Sequence, residues 1–280
     1  MPSKDIVVYK AIFDDYDILT DPEVTSNNIK YVCFTDDEKL ESVVWDIRVL
    51  KDATTSPNIH NRRLKMKPHE LFPEFEYSVY LDGNIHIVGN IETLIKRTMT
   101  DGPLAAPSHP SRESVAEEAR KCIDAGLAPK NRVNEQLKRY RQLGFPDEEG
   151  LTENSVLIRE HNDSDVVSVM EDWWQELGTE TERDQLSLQY TLWKNDVECT
   201  RLPVDARWSS HFRRYPHTPD DWRKLFWRSW IDIYLHRGRG SYRNMFNSIL
   251  YYTVICSNIV LQDGPLELLR RTENFIRERV

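Results

Sequence analysis

YSVYLDGNIHIVGN, residues 77–90, is a run of aromatic and β-branched side chains interrupted by Asp82, Gly83 and Asn84. The apolar residues predict a strand buried in a sheet. The interruption has two readings. Asp-Gly and Gly-Asn are ordinary hairpin chemistry. A carboxylate and an amide on either side of a glycine also present hard oxygen donors where the backbone turns closely, which suits a divalent cation and a diphosphate. Both readings stay open on these residues alone.

Two similar runs precede it. DIVVYKAIF (5–13) and IKYVCFTDD (29–37) predict strands, the second ending on acidic residues. Between the second and third strands, HNRRLKMKPHELFP (60–73) predicts a short helix closed by Pro73, so the first ninety residues have a βαβ rhythm. SRESVAEEARKCIDAGL (111–127) places Val115, Ala119, Cys122 and Ile123 on one helical face, with Ser114 and Glu117 spaced as a capping box. RVNEQLKRYRQLGFP (132–146) follows with Val133, Leu137 and Tyr140 in phase and Gly144 before Pro146 as a stop. Both helices are expected to pack on the sheet. NSVLIREHN (154–162) predicts another strand, and SDVVSVMEDWWQELG (164–178) and RDQLSLQYTLWKN (183–195) predict helices. The fold class is therefore α/β, with no internal repeat.

Composition narrows the function. A chain of 280 residues, 39% hydrophobic and 10% aromatic, buries the core of one large domain or a domain plus an appendage. Its formal charge of -9 and pI near 5.5 speak against nucleic acid as a partner. Cys33, Cys122, Cys199 and Cys256 are far apart, as suits reduced thiols rather than a disulfide or zinc framework. The N-terminal apolar stretch is too short for a secretion signal and no run reaches a membrane span, so a soluble, cytoplasmic protein is expected. Beyond residue 203 the composition shifts. From Arg207 to Arg243 there are nine Arg or Lys against three Asp, interleaved with aromatic residues. DDWRKLFWRSWIDIYLHRG and NMFNSILYYTVICSNIVLQ predict a helical subdomain at 218–280, which would pack on the main domain, form a homodimer through its helices, or dock peripherally on an anionic membrane or polyanionic acceptor.

Strands that end on Asp suggest a nucleotide site, because open α/β sheets bind ligands at the carboxyl ends of their strands. Neither GxGxxG nor GxxxxGK[ST] is present to hold phosphates, so a diphosphate would take a divalent cation as counter-charge.

YKAIFDDYD, YVCFTDD, RRLKMKPHELFPEFEYSVYLDGNI, HPSR, GFPDEEGLTENSVLIREHN, WW and RDQLSLQY occur in the order seen in a glycosyltransferase-like family once catalogued as a domain of unknown function. The chain resembles that family over about residues 6–217. Its plant members are associated with turgor regulation and seed-mucilage polysaccharide, and it has bacterial relatives. The resemblance implies a GT-A fold, a Rossmann-like mixed sheet flanked by helices, here with a C-terminal helical extension: a catalytic domain at 1–217 and a subdomain at 218–280. It also implies a nucleotide-sugar donor, UDP-sugar favoured, a saccharide or glycan acceptor, and Mn²⁺ or Mg²⁺. Asp82 and Asn84 occupy the DxD-like positions, with His217 in RRYPHT as third metal ligand and His211 as second choice. Asp36 would hold base or ribose. Arg62 and Lys65, with Arg63 beside them, would reach the diphosphate or donor sugar, the arginine through its bidentate fork. His109 and Arg112 would meet phosphate or sugar hydroxyls. Asp184, beside Gln185, is the catalytic candidate, either as the base of an inverting reaction or as the stabiliser of an oxocarbenium-like species in a retaining one, with a lean to retention. Glu171 or Asp172 is the competing base, and Trp173 or Trp174 a stacking surface for sugar.

Two other classes stand beside this reading. A carboxylate-based glycoside hydrolase has acids enough, but no GxSxG or HExxH gives it direction. A non-catalytic nucleotide- or sugar-binding protein would keep Asp36 and Asp82 and tolerate loss of Asp184.

Overall fold

The computed structural model describes residues 5–51, 55–147, 150–179, 181–219 and 227–236, with isolated positions elsewhere. The chain divides into two compact units, Met1–Arg214 and Tyr215–Val280.

The first unit is built on a seven-stranded mixed sheet in the order β3-β2-β1-β4-β7-β6-β8. Its strands are β1 (Ile6–Ile12), β2 (Ile29–Thr35), β3 (Asp46–Val49), β4 (Tyr77–Leu81), β6 (Leu104–Pro107), β7 (Val156–Arg159) and β8 (Thr200–Leu202). β1 lies parallel to β2 and β4, whereas β7 runs antiparallel to β4 and β6. β1 lies inside the sheet and, Lys10 apart, is apolar on both faces, because both faces are covered. Val7, Tyr9 and Ala11 pack with Leu64 and Met66 of α1 (Pro57–Met66) and with Val166, Val169, Met170 and Trp173 of α6 (Ser164–Thr179). Ile6, Val8 and Ile12 face the other way, toward Leu19, Trp45 and Ile91, Leu94 and Ile95 of α3 (Ile91–Thr98). This is the Rossmann-like mixed sheet flanked by helices that the resemblance implied. Each fully buried side chain of this size contributes about 1.5–3 kcal/mol.

Four elements differ from the sequence reading. The helix expected to run to Pro73 ends at Met66, because Pro68 disfavours helical backbone at the residue before it. Lys67 takes φ −120° and ψ 45°, and a separate turn, α2 (Pro68–Leu71), follows. The single strand read across residues 77–88 is two: β4 stays in the main sheet, while β5 (Ile85–Ile87) pairs antiparallel with β9 (Phe212–Arg214) in a second sheet. The helices α4 (Val115–Asp124) and α5 (Lys130–Gln142) do not cover the sheet. They form a satellite core with Leu186, with Tyr190 of α7 (Leu188–Lys194) and with Phe145. Asp184 opens a short 3-10 turn, Asp184–Leu186, rather than the α-helix itself. The expected cap of α4 is present: Glu117 N–H donates to Ser114 Oγ at 3.2 Å, but the Glu117 carboxylate accepts from Glu113 N–H rather than returning to Ser114.

In the second unit, α8 (Trp227–His236) buries Trp227, Ile231 and Leu235 at helical spacing. The apolar helix expected after residue 243 lies outside the described residues. Among the described residues no helix is long and apolar enough to cross a membrane.

Candidate functional site

Because β1, β2 and β4 are parallel, their carboxyl ends share one edge of the sheet. The segment before β7 reaches the same edge, where Asp82 N–H donates to Ser155 O at 2.9 Å and Glu153 N–H to Pro107 O at 2.8 Å. The loops carrying Asp14–Asp17, Asp36, Asp82–Asn84 and His109–Arg112 therefore come together from distant parts of the sequence.

The Asp82–Asn84 turn is not a hairpin. Ile85 N–H donates to Asp82 O at 3.0 Å and closes the turn, but the strand that follows leaves for β9 instead of returning along β4. Gly83 lets the Asp17 side chain close on the turn: a Cβ there would lie 2.5 Å from Asp17 Oδ2 and would push that carboxylate aside. Beneath the turn lies Lys10, fully buried on β1. Its ammonium donates to Gly83 O at 3.0 Å and Ile85 O at 2.7 Å and sits 5.2 Å from the Trp45 ring centroid. Burial pushes this ammonium down to about 8, although Cys33, Asp17 and Asp82 act to raise it.

Beside the turn, α1 delivers two cations to two carboxylates. Lys65 Nζ lies 2.7 Å from Asp184 Oδ2 and 3.5 Å from Asp82 Oδ1, and Arg62 reaches Asp184 Oδ1 at 3.2 Å. The side chains of Lys65 and Asp184 are 2% and 7% exposed, whereas Asp82 is 35% exposed and forms the open end of the network. The backbone behind them is fixed. Arg159 donates to Lys65 O at 2.7 Å and to Tyr9 Oη at 2.7 Å, and Trp173 Nε1–H donates to Asp184 O at 3.0 Å. Burial opposes the charge of Asp184, yet Arg62, Lys65 and Arg183 hold its carboxyl well below the usual carboxylate range. Burial likewise opposes the charge of Arg62, and Asp184 and Asp82 more than offset it. Asp184 is thus a permanent anion whose two oxygens are already engaged, a poor proton acceptor and a good electrostatic anchor.

Other expected residues have different surroundings. The Asp36 carboxylate accepts the Asp14 N–H through both oxygens at 3.1 Å, holding a loop in which Asp14 and Asp15 take φ of 56° and 52°. His109 Nδ1 accepts the N–H groups of Ser111 and Arg112 at 3.2 and 3.0 Å, and the Arg112 guanidinium lies 2.7 Å from Nε2 and pairs with Glu118. Burial, with Arg112, Arg207 and Arg214, pushes this imidazole down to about 4. The Gln185 amide donates to Thr152 O and accepts from Asn154 N–H, bracing the segment before β7. Arg63 pairs with Glu70 on the surface. Glu171 is tied to Lys67 and His69, and Asp172 to Lys194 and Asn195. Trp173 is fully buried core and offers no sugar platform, and Trp174 packs partly buried against that core. His211 sits beside Ser210 at the β5–β9 sheet, and His217 belongs to the second unit.

The divalent cation implied by the resemblance does not fit this donor set. Asp82 faces Lys65, Asn84 is 3% exposed, and a fixed ammonium lies under the turn that joins them. Two residues of the site escaped the sequence reading, Lys10 and Asp17. The signal for Lys10 was present, a lysine in an otherwise apolar strand, which marks a buried charge with a dedicated partner.

Comparison with known proteins agrees with the resemblance. The TOD1/MUCI70, glycosyltransferase-like domain matches residues 1–204. The "Probable hexosyltransferase MUCI70" of Arabidopsis thaliana is 26% identical over 211 residues, 65% of this chain and 36% of that protein. The chain therefore corresponds to little more than a third of the relative it matches. Among solved structures, the WbbM bifunctional glycosyltransferase in its apo form has a TM-score of 0.43 at 12% identity, over 72% of this chain and 39% of that one.

Proposed function

Because the chain belongs to the TOD1/MUCI70 glycosyltransferase-like family, we propose that its first unit moves a hexosyl or related sugar from a nucleotide-sugar donor, UDP-sugar favoured, to a saccharide or glycan acceptor. The observation that carries this reading is the Arg62–Lys65–Asp82–Asp184 network at the carboxyl edge of β1, β2 and β4. In the reaction the bond from the anomeric carbon to the diphosphate oxygen breaks, a bond to an acceptor oxygen forms, and the acceptor's hydroxyl proton passes to the departing diphosphate. Charge develops in two places, negative on the departing diphosphate and positive on the sugar ring. Lys65 and Arg62 supply cations for the first and Asp184 a permanent anion for the second, each held in place before the donor arrives. Asp82, the exposed end of the network, contacts the ribose or the donor sugar. Asp36 and the loop it holds border the nucleoside. His109, neutral at pH 7, and Arg112 meet phosphate or sugar hydroxyls of the donor.

The engaged oxygens of Asp184 favour the electrostatic role over that of base, which suits retention of configuration. Incubating the full chain with a panel of nucleotide sugars and following nucleoside diphosphate release tests the reading, and the anomeric configuration of the product by NMR tests the stereochemistry. A glycoside hydrolase would ignore every nucleotide in the panel. A non-catalytic binder would bind a nucleotide and release none.

A further inference from the structure

Resting on the nucleotide-sugar reading, we propose that this transferase neutralises the donor's diphosphate with Lys65 and Arg62 and needs no divalent cation. A seat for a hard divalent ion gathers carboxylates whose charge is left for the metal. Here that charge is already used. Asp82 Oδ1 faces Lys65 at 3.5 Å, and both Asp184 oxygens are occupied, by Lys65 at 2.7 Å and Arg62 at 3.2 Å. The second DxD-like position is an amide, Asn84, and it is buried. Under the turn the Lys10 ammonium is bound to Gly83 O and Ile85 O, so a metal beside Asp82 would stand between two lysines. Displacing Lys65 to admit it would strip Asp184 of one of its two close partners inside the protein, at a high cost in free energy.

The same arrangement suits an anion. Lys65 and Arg62 lie on one helix turn, held by the Arg159 contact to Lys65 O, and next to the partly exposed Asp82. Arg62 is the more accessible of the two cations, its side chain 16% exposed against 2% for Lys65. Arginine and lysine clamps on phosphate oxygens serve the purpose that a metal serves elsewhere. A nucleoside diphosphate entering at Asp82 meets Arg62 directly and the charge of the buried Lys65 behind it.

The test is calorimetric titration of the full chain with uridine diphosphate, once in EDTA and once in Mn²⁺, with guanosine, cytidine and thymidine diphosphates in parallel. The expected result is binding in EDTA within about tenfold of that in Mn²⁺. Arg62→Gln and Lys65→Met, checked for folding by their melting curves, should each weaken that binding by about tenfold or more in both buffers. The milder Lys65→Arg should retain it, which keeps the test decisive if the Met variant fails to fold. Binding that requires Mn²⁺, or that falls by about tenfold or more in EDTA, overturns the metal-free proposal and leaves the nucleotide-sugar reading standing. No binding of any of the four nucleotides in either buffer overturns both.

Discussion

Asp184→Asn is the substitution whose consequences the structure specifies most fully. The amide is close in size to the carboxylate and leaves the Trp173 Nε1–H bond to the residue 184 carbonyl intact, so the change is one of charge. It leaves Lys65, 2% exposed, and Arg62 facing Asp82 alone. Removing one partner from a buried ion pair costs about 3–5 kcal/mol, because the uncompensated charge stays inside. For a unit of this size that lowers the melting midpoint by about 6–20 °C. The pH dependence has a fixed sign. The folded-state pKa of Asp184 is depressed, so its stabilisation is fully present above the unfolded value of about 4 and is lost as pH falls through the folded one. Urea unfolding followed by tryptophan fluorescence should therefore show a constant gap between wild type and variant from about pH 5 to 7, narrowing below about pH 4. A gap under about 1 kcal/mol at neutral pH, or one that acid leaves unchanged, refutes the account of Asp184 as a buried anchor. The double variant Asp184→Leu with Lys65→Met should be more stable than the sum of its parts, since each single change strands its partner's buried charge whereas the double change removes both and leaves only Arg62, which keeps Asp82.

Three further outcomes are expected. Gly89→Ala presses a methyl group into the Ser210 carbonyl oxygen and to 2.9 Å from His211 Cα, a backbone clash that should cost about 1–3 kcal/mol, and an unchanged melting midpoint would count against the β5–β9 pairing. Lys10→Met removes an ammonium pushed down by burial from 10.5 to about 8. The unfolded chain binds more protons across that window, so wild-type stability should gain about 3 kcal/mol on the variant between pH 8 and 10.5, and equal urea-midpoint slopes would refute the burial of this charge. His109, pushed down from 6.5 to about 4, makes wild-type stability fall as pH drops through that interval, whereas His109→Gln should lack this slope. A matching slope in the variant would show that the imidazole is not held neutral.

The parts of the fold that could be read from the sequence are those with long one-dimensional patterns. β1, β2, β4 and β7 are apolar runs, and α4, α5 and α6 carry clear helical stripes. β3, β6, β8 and β9 are three or four residues long and lack the branched apolar run that marks the equally short β7, and they exist because a neighbouring strand completes their hydrogen bonds. The stripe on α4 marks a buried face without saying what buries it. Its partner is α5, α7 and the turn at Asp184, more than fifty residues away in the last case, and not the sheet. In the candidate site, Asp82 and Asp184 were singled out by resemblance. That Lys65 bridges them depends on the angle at which α1 crosses the sheet, and so does the contrast between a buried Asp184 and an open Asp82. Hydrogen bonding decided the Asp82–Asn84 question. Turn chemistry alone permits a hairpin, and only the pairing of β5 with β9 removes it.

That pairing also decides how much chain the site needs. Ile85 and Ile87, which leave the seat, lie opposite Arg214 and Phe212 in the β5–β9 register, beyond residue 204, where the family match stops. A fragment trimmed to the match would retain every charged group of the ion network and lose the strand that pins the outgoing end of the turn. It would also bare the apolar side chains of β5 as an unpaired edge, the kind of surface on which chains associate. During synthesis the same dependence delays completion of the seat until β9 has emerged, so the last few residues of the unit act as the closing stitch of a pocket whose first wall, β1, was made at the start.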